Sequence, residues 1–215
     1  MDAEGEPITL RDGRAARIRP IRPGDRALLI EGFERLSPES RYRRFLGATQ
    51  LTDDMARYLT EVDGRDHVAF VVVEDTPDLK SERGLGVGRF IRLHDEPTVA
   101  ECALTVIDEH QQRGIGTALA RALCDAALNR GVTSFRAEVL GSNRPMLELL
   151  AMVGANLKAR TDDSLIYDIP LPRFDEHPTA LSGLISTTLR AAAETMGFVA
   201  RTLRQLGGLE PPAEG

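Results

Sequence analysis

The spacing of hydrophobic and polar residues in the first part of the chain predicts a hairpin followed by two helices. Short apolar stretches flank Asp12 and Gly13, a pair that favours a tight turn between two strands. A first helix is predicted to begin at Asp25 as its cap and to end at residues 37–38, and a second follows Thr52. Apolar positions recur at helical spacing in both, as Leu29, Phe33 and Leu36 and as Met55, Leu59 and Val62.

The middle and later parts of the chain alternate between strand and helix patterns. The continuous apolar run at 68–73, rich in valine, is typical of a strand buried on both faces. Alternating residues at 87–93 and the segment 99–107 predict two more strands, and a helix then begins near Ile115. The remaining elements are predicted as a strand at 135–139, a helix at 143–153 and two closing strands around Leu157 and at 165–169.

A glycine-rich turn joins the strand ending near Ile107 to the next helix. Gly114 and Gly116 lie where such a turn presents unpaired backbone N–H groups and the positive end of a helix dipole, which together attract phosphate oxygens. A dinucleotide fingerprint would need a third glycine where Leu119 stands, and a Walker loop would need a lysine. The turn is therefore a candidate phosphate site of another kind, or only a tight turn.

Beyond Pro170 the pattern changes to a single amphipathic stripe. Apolar residues between 185 and 206 recur at steps of four and three, which predicts one helix that docks on its own domain, contacts a second subunit or lies on a membrane surface. Docking or self-association is favoured because bulky aromatic anchors are missing. The predicted organisation is a disordered tail at 1–7, a domain at 8–170, a proline-rich linker at 171–178, the helix at 179–206 and a disordered tail at 207–215.

Composition narrows the functional classes. The 215 residues include 27 Lys and Arg against 33 Asp and Glu, a net charge of -6, which argues against binding nucleic acid by bulk electrostatics and permits a basic substrate. Cys102 and Cys124 sit singly in apolar segments, so neither a disulfide framework nor a thiolate metal cluster is expected. The four histidines are dispersed, and no apolar run reaches membrane-spanning length. We therefore expect a cytoplasmic protein without a metal or a membrane span.

The glycine turn also carries a family resemblance. Residues 111–116, Gln-Gln-Arg-Gly-Ile-Gly, resemble the Q/R-x-x-G-x-G/A signature of the GNAT superfamily of acyl-CoA-dependent N-acetyltransferases. The order of predicted elements over 8–170 is similar to the GNAT domain, and the segments 17–23 and 36–41 resemble the bacterial branch that includes protein lysine acetyltransferases. The resemblance implies an α/β (α+β) fold with a mixed, mostly antiparallel central sheet and flanking helices, to which the C-terminal amphipathic helix is added.

The resemblance also implies how acetyl-CoA is held. Backbone amides of residues 112–117 would bind the pyrophosphate, and main-chain groups at the end of the preceding strand would pair with the pantetheine arm. Asn143 would help to hold the arm, although a plain helix cap is an equally simple role for it. The cofactor residues expected on this ground are Val106, Ile107, Gln111, Gln112, Arg113, Gly114, Ile115, Gly116, Thr117 and Asn143.

Glu101 is the candidate catalytic residue. A carboxylate in the middle of an apolar strand is costly unless it is paired or functional, and its position matches that of the glutamate base in the similar lysine acetyltransferases. The alternative is an ion pair with Arg89 or Arg92. The helix that starts at 143 has no tyrosine to serve as general acid, so that role falls to another group such as Ser142 or is absent.

The expected activity is transfer of an acetyl group from acetyl-CoA to an amine, with a protein lysine as the preferred acceptor. Two alternatives stay open. The acceptor could be a small amine such as an antibiotic, a polyamine or an amino acid, or the chain could be a non-catalytic acyl-CoA sensor in which Glu101 is only structural. Acyl transfer through Cys102 and homodimerisation through the C-terminal helix are further possibilities.

Overall fold

The computed structural model describes residues 5–38, 40, 51–75, 81–162 and 164–171. Outside these residues lie almost all of the predicted linker at 171–178 and the whole predicted C-terminal helix at 179–206. The strands are β1 (Glu6–Thr9), β2 (Ala15–Pro20), β3 (His67–Asp75), β4 (Glu82–Arg92), β5 (Val99–Val106), β6 (Ser134–Leu140), β7 (Asn156–Arg160) and β8 (Ser164–Pro170). The helices are α1 (Arg26–Glu34), α2 (Asp53–Thr60), α3 (Ile115–Leu128) and α4 (Arg144–Met152), and short 3-10 turns lie at Pro23–Asp25 and Asp108–His110.

The eight strands form one sheet in the order β1-β2-β3-β4-β5-β6-β8-β7. Every neighbouring pair is antiparallel except β5 and β6, which run parallel, as the predicted mixed and mostly antiparallel sheet requires. The parallel pairing covers only three positions, from Val99 opposite Ser134 to Glu101 opposite Arg136. Beyond that point β5 stays paired with β4 and β6 with β8, but β5 and β6 no longer pair with each other, so a gap opens in the middle of the sheet.

Two hydrophobic clusters cover the two faces of the sheet. On one face α3 packs against the central strands, with Leu119 and Leu123 completely buried. On the other face α1 and α2 pack through Phe33 and Leu59. Because side chains of a strand alternate between faces, even-numbered residues of β5 join the α3 cluster and odd-numbered residues, including Glu101, lie on the α1 and α2 face.

The helices largely follow the sequence prediction, with one correction at Asp25. The second helix begins after Thr52, whose hydroxyl accepts a hydrogen bond from the N–H of Met55 (3.3 Å). Asp25 precedes α1 but its side chain does not cap that helix. Its carboxylate instead binds Arg19, a buried cation that requires a partner inside the fold.

The predicted N-terminal tail is also too long. Strand β1 begins at Glu6 and pairs it with Ile18, because backbone hydrogen bonds to β2 order residues whose side chains remain exposed. The turn at Asp12 and Gly13 is confirmed, and Gly13 has the positive φ of 83° that such a turn needs. Among the described helices none is long and apolar enough to cross a membrane.

Candidate active site

The chain between β5 and α3 makes a sharp turn lined by backbone amides. Gln112 (φ 62°) and Gly114 (φ 91°) both lie in the left-handed region, and Gly114 is the N-cap residue of α3. Within the described part of the chain, no hydrogen bond uses the N–H groups of 112–117 as donors. The first N–H groups of a helix have no partner inside it, so these amides are available to an anion.

Arg11 of the β1–β2 turn lies beside this loop. Its N–H donates to the carbonyl oxygen of Arg113 (3.0 Å), and Asp12 forms a salt bridge with Arg113 (3.0 Å). The Arg11 Cγ atom is 3.6 Å from the place that a Cβ would take at Gly114. Sequence reasoning missed Arg11 because the contact joins residues about a hundred positions apart. The hairpin thus supports the loop and brings it a positive charge.

These features fit the diphosphate of coenzyme A. The fourteen-residue helix α3 directs its positive end at the loop, and the amides and Arg11 supply donors and charge. Ile115 is 1% exposed, so its side chain belongs to the core and only its main chain can serve a ligand. Across the described ranges, no group of three or more His, Cys, Asp or Glu residues is placed to hold a metal ion.

The gap between β5 and β6 leads away from this loop. The N–H of Ile107 donates to Leu85 of β4 (3.0 Å) and is therefore already used. Because strand residues alternate in direction, the main-chain groups of Leu104 and Val106 point to the other side, towards the gap. Of the two residues predicted to hold the pantetheine arm, Val106 thus faces the gap with its main chain. Leu104, which the sequence analysis did not single out, does the same.

Glu101 lies at the inner end of the gap, on the last residue pair before β5 and β6 separate. It is partly buried and lies opposite Ile91 of β4. Val106 is five positions further along β5, roughly 17 Å away along the strand, which suits an extended arm reaching from the loop. Cys102 is 2% exposed and packs in the α3 cluster, on the other face of the sheet from Glu101.

The arginines near Glu101 have other partners. Arg92 donates to a carboxylate oxygen of Asp66 (2.6 Å). Arg136, which is next to Glu101 across the parallel pair, binds Glu96 and Asp168. Arg89 donates to the Leu59 carbonyl oxygen (3.0 Å).

Two predicted cofactor side chains have structural contacts. Asn143 precedes α4, and its Oδ1 accepts a hydrogen bond from the Met146 N–H (3.3 Å), which is the geometry of a helix cap. Its NH2 group makes no hydrogen bond to the described residues and could donate to a ligand. The Gln111 amide donates to Asp108 Oδ1 (3.2 Å) and to the carbonyl oxygen of Val106 (3.4 Å), so it braces the turn from within.

The glycine turn, the helix behind it and the interrupted sheet define the class of this protein. The sequence profile of the acetyltransferase (GNAT) family matches residues 26–155, and the chain belongs to this family of acyl-CoA-dependent N-acetyltransferases. It is 33% identical over 174 residues to the acetyltransferase Pat of Mycolicibacterium smegmatis, covering 80% of this chain and 50% of that protein. It is 32% identical over 158 residues to an acetyltransferase of Pseudomonas aeruginosa, covering 73% of this chain and 83% of that one.

A solved structure shares this fold. The GNAT domain of S. lividans PAT superposes with a TM-score of 0.66 at 29% sequence identity, over 80% of this chain and 99% of that one. The chain spans about half of the length of the M. smegmatis relative. The likeness therefore concerns the acetyltransferase domain.

Proposed function

We propose that this chain transfers the acetyl group of acetyl-CoA to the side-chain amine of a protein lysine. The observation that carries the proposal is the gap between β5 and β6, which runs from the amides at 112–117 to Glu101. Support for a lysine acceptor comes from the branch-specific segments 17–23 and 36–41 and from the similarity to the proteins named Pat.

The residues divide the work between binding and proton transfer. The amides at 112–117 bind the diphosphate, and the main chain of Leu104 and Val106 aligns the arm. Bound acetyl-CoA supplies a thioester carbonyl that a neutral amine can attack. Because a free lysine has a pKa near 10.4, the amine is mostly protonated at neutral pH, and Glu101 accepts its proton directly or through water. The departing thiol has an ordinary pKa near 8.5 and leaves without a dedicated acid.

The test combines binding, turnover and product identification. Calorimetry is expected to show acetyl-CoA binding, and mass spectrometry is expected to find acetyl-lysine in protein or peptide acceptors rather than acetylated small amines. The variant Glu101→Gln should bind acetyl-CoA as before and lose roughly 10²- to 10⁴-fold in kcat. Glu148→Gln, which changes an exposed carboxylate on α4, is the matched control. Full activity of Glu101→Gln across neutral pH would remove Glu101 from the mechanism, and failure to bind acetyl-CoA would refute the whole proposal.

A further inference from the structure

Two arginines of the described residues are almost fully buried, and their surroundings differ. Arg19 is 1% exposed and Arg89 is 4% exposed. Arg19 donates two hydrogen bonds of 2.8 Å to Asp25 and also binds Glu82. Although burial alone lowers the pKa of Arg19, these carboxylates raise it above its ordinary value. Arg19 is therefore a buried cation whose charge is balanced inside the protein.

Arg89 has no such ion pair among the described residues. Its Nη1 donates to the Leu59 carbonyl oxygen (3.0 Å) and lies 3.1 Å from Nε2 of His67. In the part of the chain that the structure describes, no salt bridge joins Arg89 to a carboxylate. Burial lowers the pKa of Arg89 to about 10, so the group still carries its charge at neutral pH. A desolvated cation that no described carboxylate binds in a salt bridge is expensive to maintain, which indicates a role other than stability.

The guanidinium lines an apolar cleft on the α1 and α2 face. Arg89 is the one charged residue among the described residues that line this cleft. Leu36 and Ile107 lie where the cleft approaches the cofactor loop, since Asp108 follows Ile107 directly. Gly84 of β4 also lines it, and the Leu28 side chain packs against this glycine, 2.7 Å from the place that a Cβ would take. A ligand in this cleft would meet mostly apolar side chains of the described residues, the polar Thr105 and the positive charge of Arg89.

The charge also lies beside the candidate base. Arg89 is opposite Ala103 in the β4–β5 register, and Ile91 is opposite Glu101. Residues two apart on a strand share a face, so Arg89 and Glu101 are diagonal neighbours on the α1 and α2 face. This is the end of β5 towards which the gap leads from the cofactor loop. A group bound by Arg89 would therefore be close to the reacting amine and acyl carbon.

We propose that Arg89 binds a carboxylate of a substrate and makes the enzyme selective for it. The carboxylate belongs either to the acyl group of the coenzyme A thioester, as in a succinyl group, or to the acceptor near its amine. Only Nη1 of Arg89 donates in the hydrogen bonds of the described residues, which leaves Nε and Nη2 to hold two carboxylate oxygens side by side. The inference rests on the proposed function, because it concerns the specificity of the same site.

The experiment has a donor arm and an acceptor arm. The donor arm compares kcat/KM for succinyl-CoA and acetyl-CoA with one neutral lysine peptide. The acceptor arm compares acetyl transfer to lysine peptides with and without a neighbouring glutamate. The wild type is expected to prefer the carboxylate substrate in one arm, and Arg89→Gln should reduce that preference on the order of tenfold to a hundredfold. Arg89→Lys keeps the charge but loses the planar fork, and should retain part of the preference.

A matched variant and a direct measurement guard against misfolding. Arg92→Gln changes an arginine of the same strand that is bound to Asp66 outside the cleft, and should leave the preference unchanged. If Arg89→Gln fails to fold, the 15N resonance of Arg89 Nε in the wild-type chain tests whether Arg89 binds the carboxylate. It should shift with the preferred carboxylate ligand, succinyl-CoA or the acidic peptide, and not with its neutral counterpart.

The outcomes separate this inference from the proposed function. Efficient acetylation of protein lysines with no carboxylate preference in either arm would overturn the role of Arg89 and leave the acetyltransferase assignment intact. A preference that persists in Arg89→Gln would overturn it as well. If no donor yields product, the Nε resonance still tests the inference, and an Nε resonance that no carboxylate ligand moves would reject it.

Discussion

The hydroxyl of Ser40 donates a 2.7 Å hydrogen bond to the Asp108 carboxylate, and this contact joins two parts of the proposed active site. Asp108 opens the turn that leads from β5 towards the loop at 112–117, whereas Ser40 follows α1 in the chain. The N–H of Ser37 donates to the same carboxylate (2.8 Å). A single aspartate therefore fixes the segment after α1 to the turn that leads into the loop proposed to bind the coenzyme.

Removing the charge of Asp108 should destabilise the contact between the segment after α1 and the turn that follows β5. Partial burial alone raises the pKa of Asp108, but hydrogen bonds from Ser37 and Ser40 outweigh it and hold the pKa below its usual value. The carboxylate therefore contributes stability above the pKa of an unfolded aspartate and loses it as the pH falls through the lower folded value. The free energy of unfolding of the variant Asp108→Asn is expected to be about 1–2 kcal/mol lower than that of the wild type at pH 7.

Urea denaturation at several pH values checks this expectation. The difference between wild type and Asp108→Asn should shrink below about pH 4, where the wild-type carboxylate becomes protonated. A difference that is constant down to pH 3 would show that the charge of Asp108 does not stabilise the contact.

Gly114 should be needed for cofactor binding as well as for the turn. At φ 91° an alanine is strained by about 1–2 kcal/mol, and relief of that strain would move the amides that follow. We expect Gly114→Ala to weaken acetyl-CoA binding roughly tenfold or more in calorimetry. Gly131→Ala is a matched control because Gly131 has a φ of 78°, has open space around its Cβ position and lies beyond the other end of α3. Equal loss of affinity in both variants would contradict the specific role of Gly114.

Arg11 should contribute a salt-dependent part of the affinity for coenzyme A. Its position next to Gly114 places a positive charge near the expected diphosphate. The variant Arg11→Ala is expected to raise the Kd for coenzyme A threefold to tenfold, on the order of 1 kcal/mol, with a smaller effect at high salt. Arg160→Ala, on the exposed edge strand β7, should leave the Kd unchanged. An effect of Arg11→Ala that is independent of salt would indicate a structural role in the turn.

His67 should make the fold sensitive to mild acid. Burial and the neighbouring charge of Arg89 lower the pKa of His67 to about 3. The unfolded histidine takes up a proton near pH 6.5 while the folded one stays neutral, so the free energy of unfolding should fall as the pH drops below about 6.5. His67→Gln should remove much of this pH dependence. The contribution of His67 to the loss of unfolding free energy between pH 7 and pH 4 should reach up to a few kcal/mol. Denaturation of wild type, His67→Gln and the exposed-site control His94→Gln from pH 7 to 4 tests it, and parallel profiles would refute it.

The sequence alone predicts those elements whose signals are local. The Thr52 cap is encoded by its own side chain, and the apolar run at 68–73 predicts the buried strand β3 because no solvated face interrupts it. The glycine turn is predicted for the same reason, since Gly114 is needed where the backbone turns left-handed. These features depend on residues a few positions apart.

The parts that sequence reasoning missed depend on contacts between distant segments. Asp25 has the chemistry of a helix cap, yet Arg19 binds its carboxylate because β2 places a buried guanidinium beside it. Arg11 reaches the cofactor loop only after the β1–β2 turn folds against it. The sequence names Arg89 as a possible ion-pair partner of Glu101, but its almost complete burial follows only from the packing of β4 against β5 and the helices.

The short parallel pairing of β5 and β6 affects how strongly coenzyme binding should protect the backbone amides of the sheet. Three residue pairs connect the lobe formed by β6, β7 and β8 to the rest of the sheet, although α3 bridges the two halves through the chain. A ligand lying in the gap would add contacts between these two parts of the sheet, which share few backbone pairs although one hydrophobic cluster joins them. We therefore expect coenzyme to slow amide hydrogen exchange in β6 and β8 as well as in the loop proposed to contact it. Binding would then stabilise strands that the ligand does not touch.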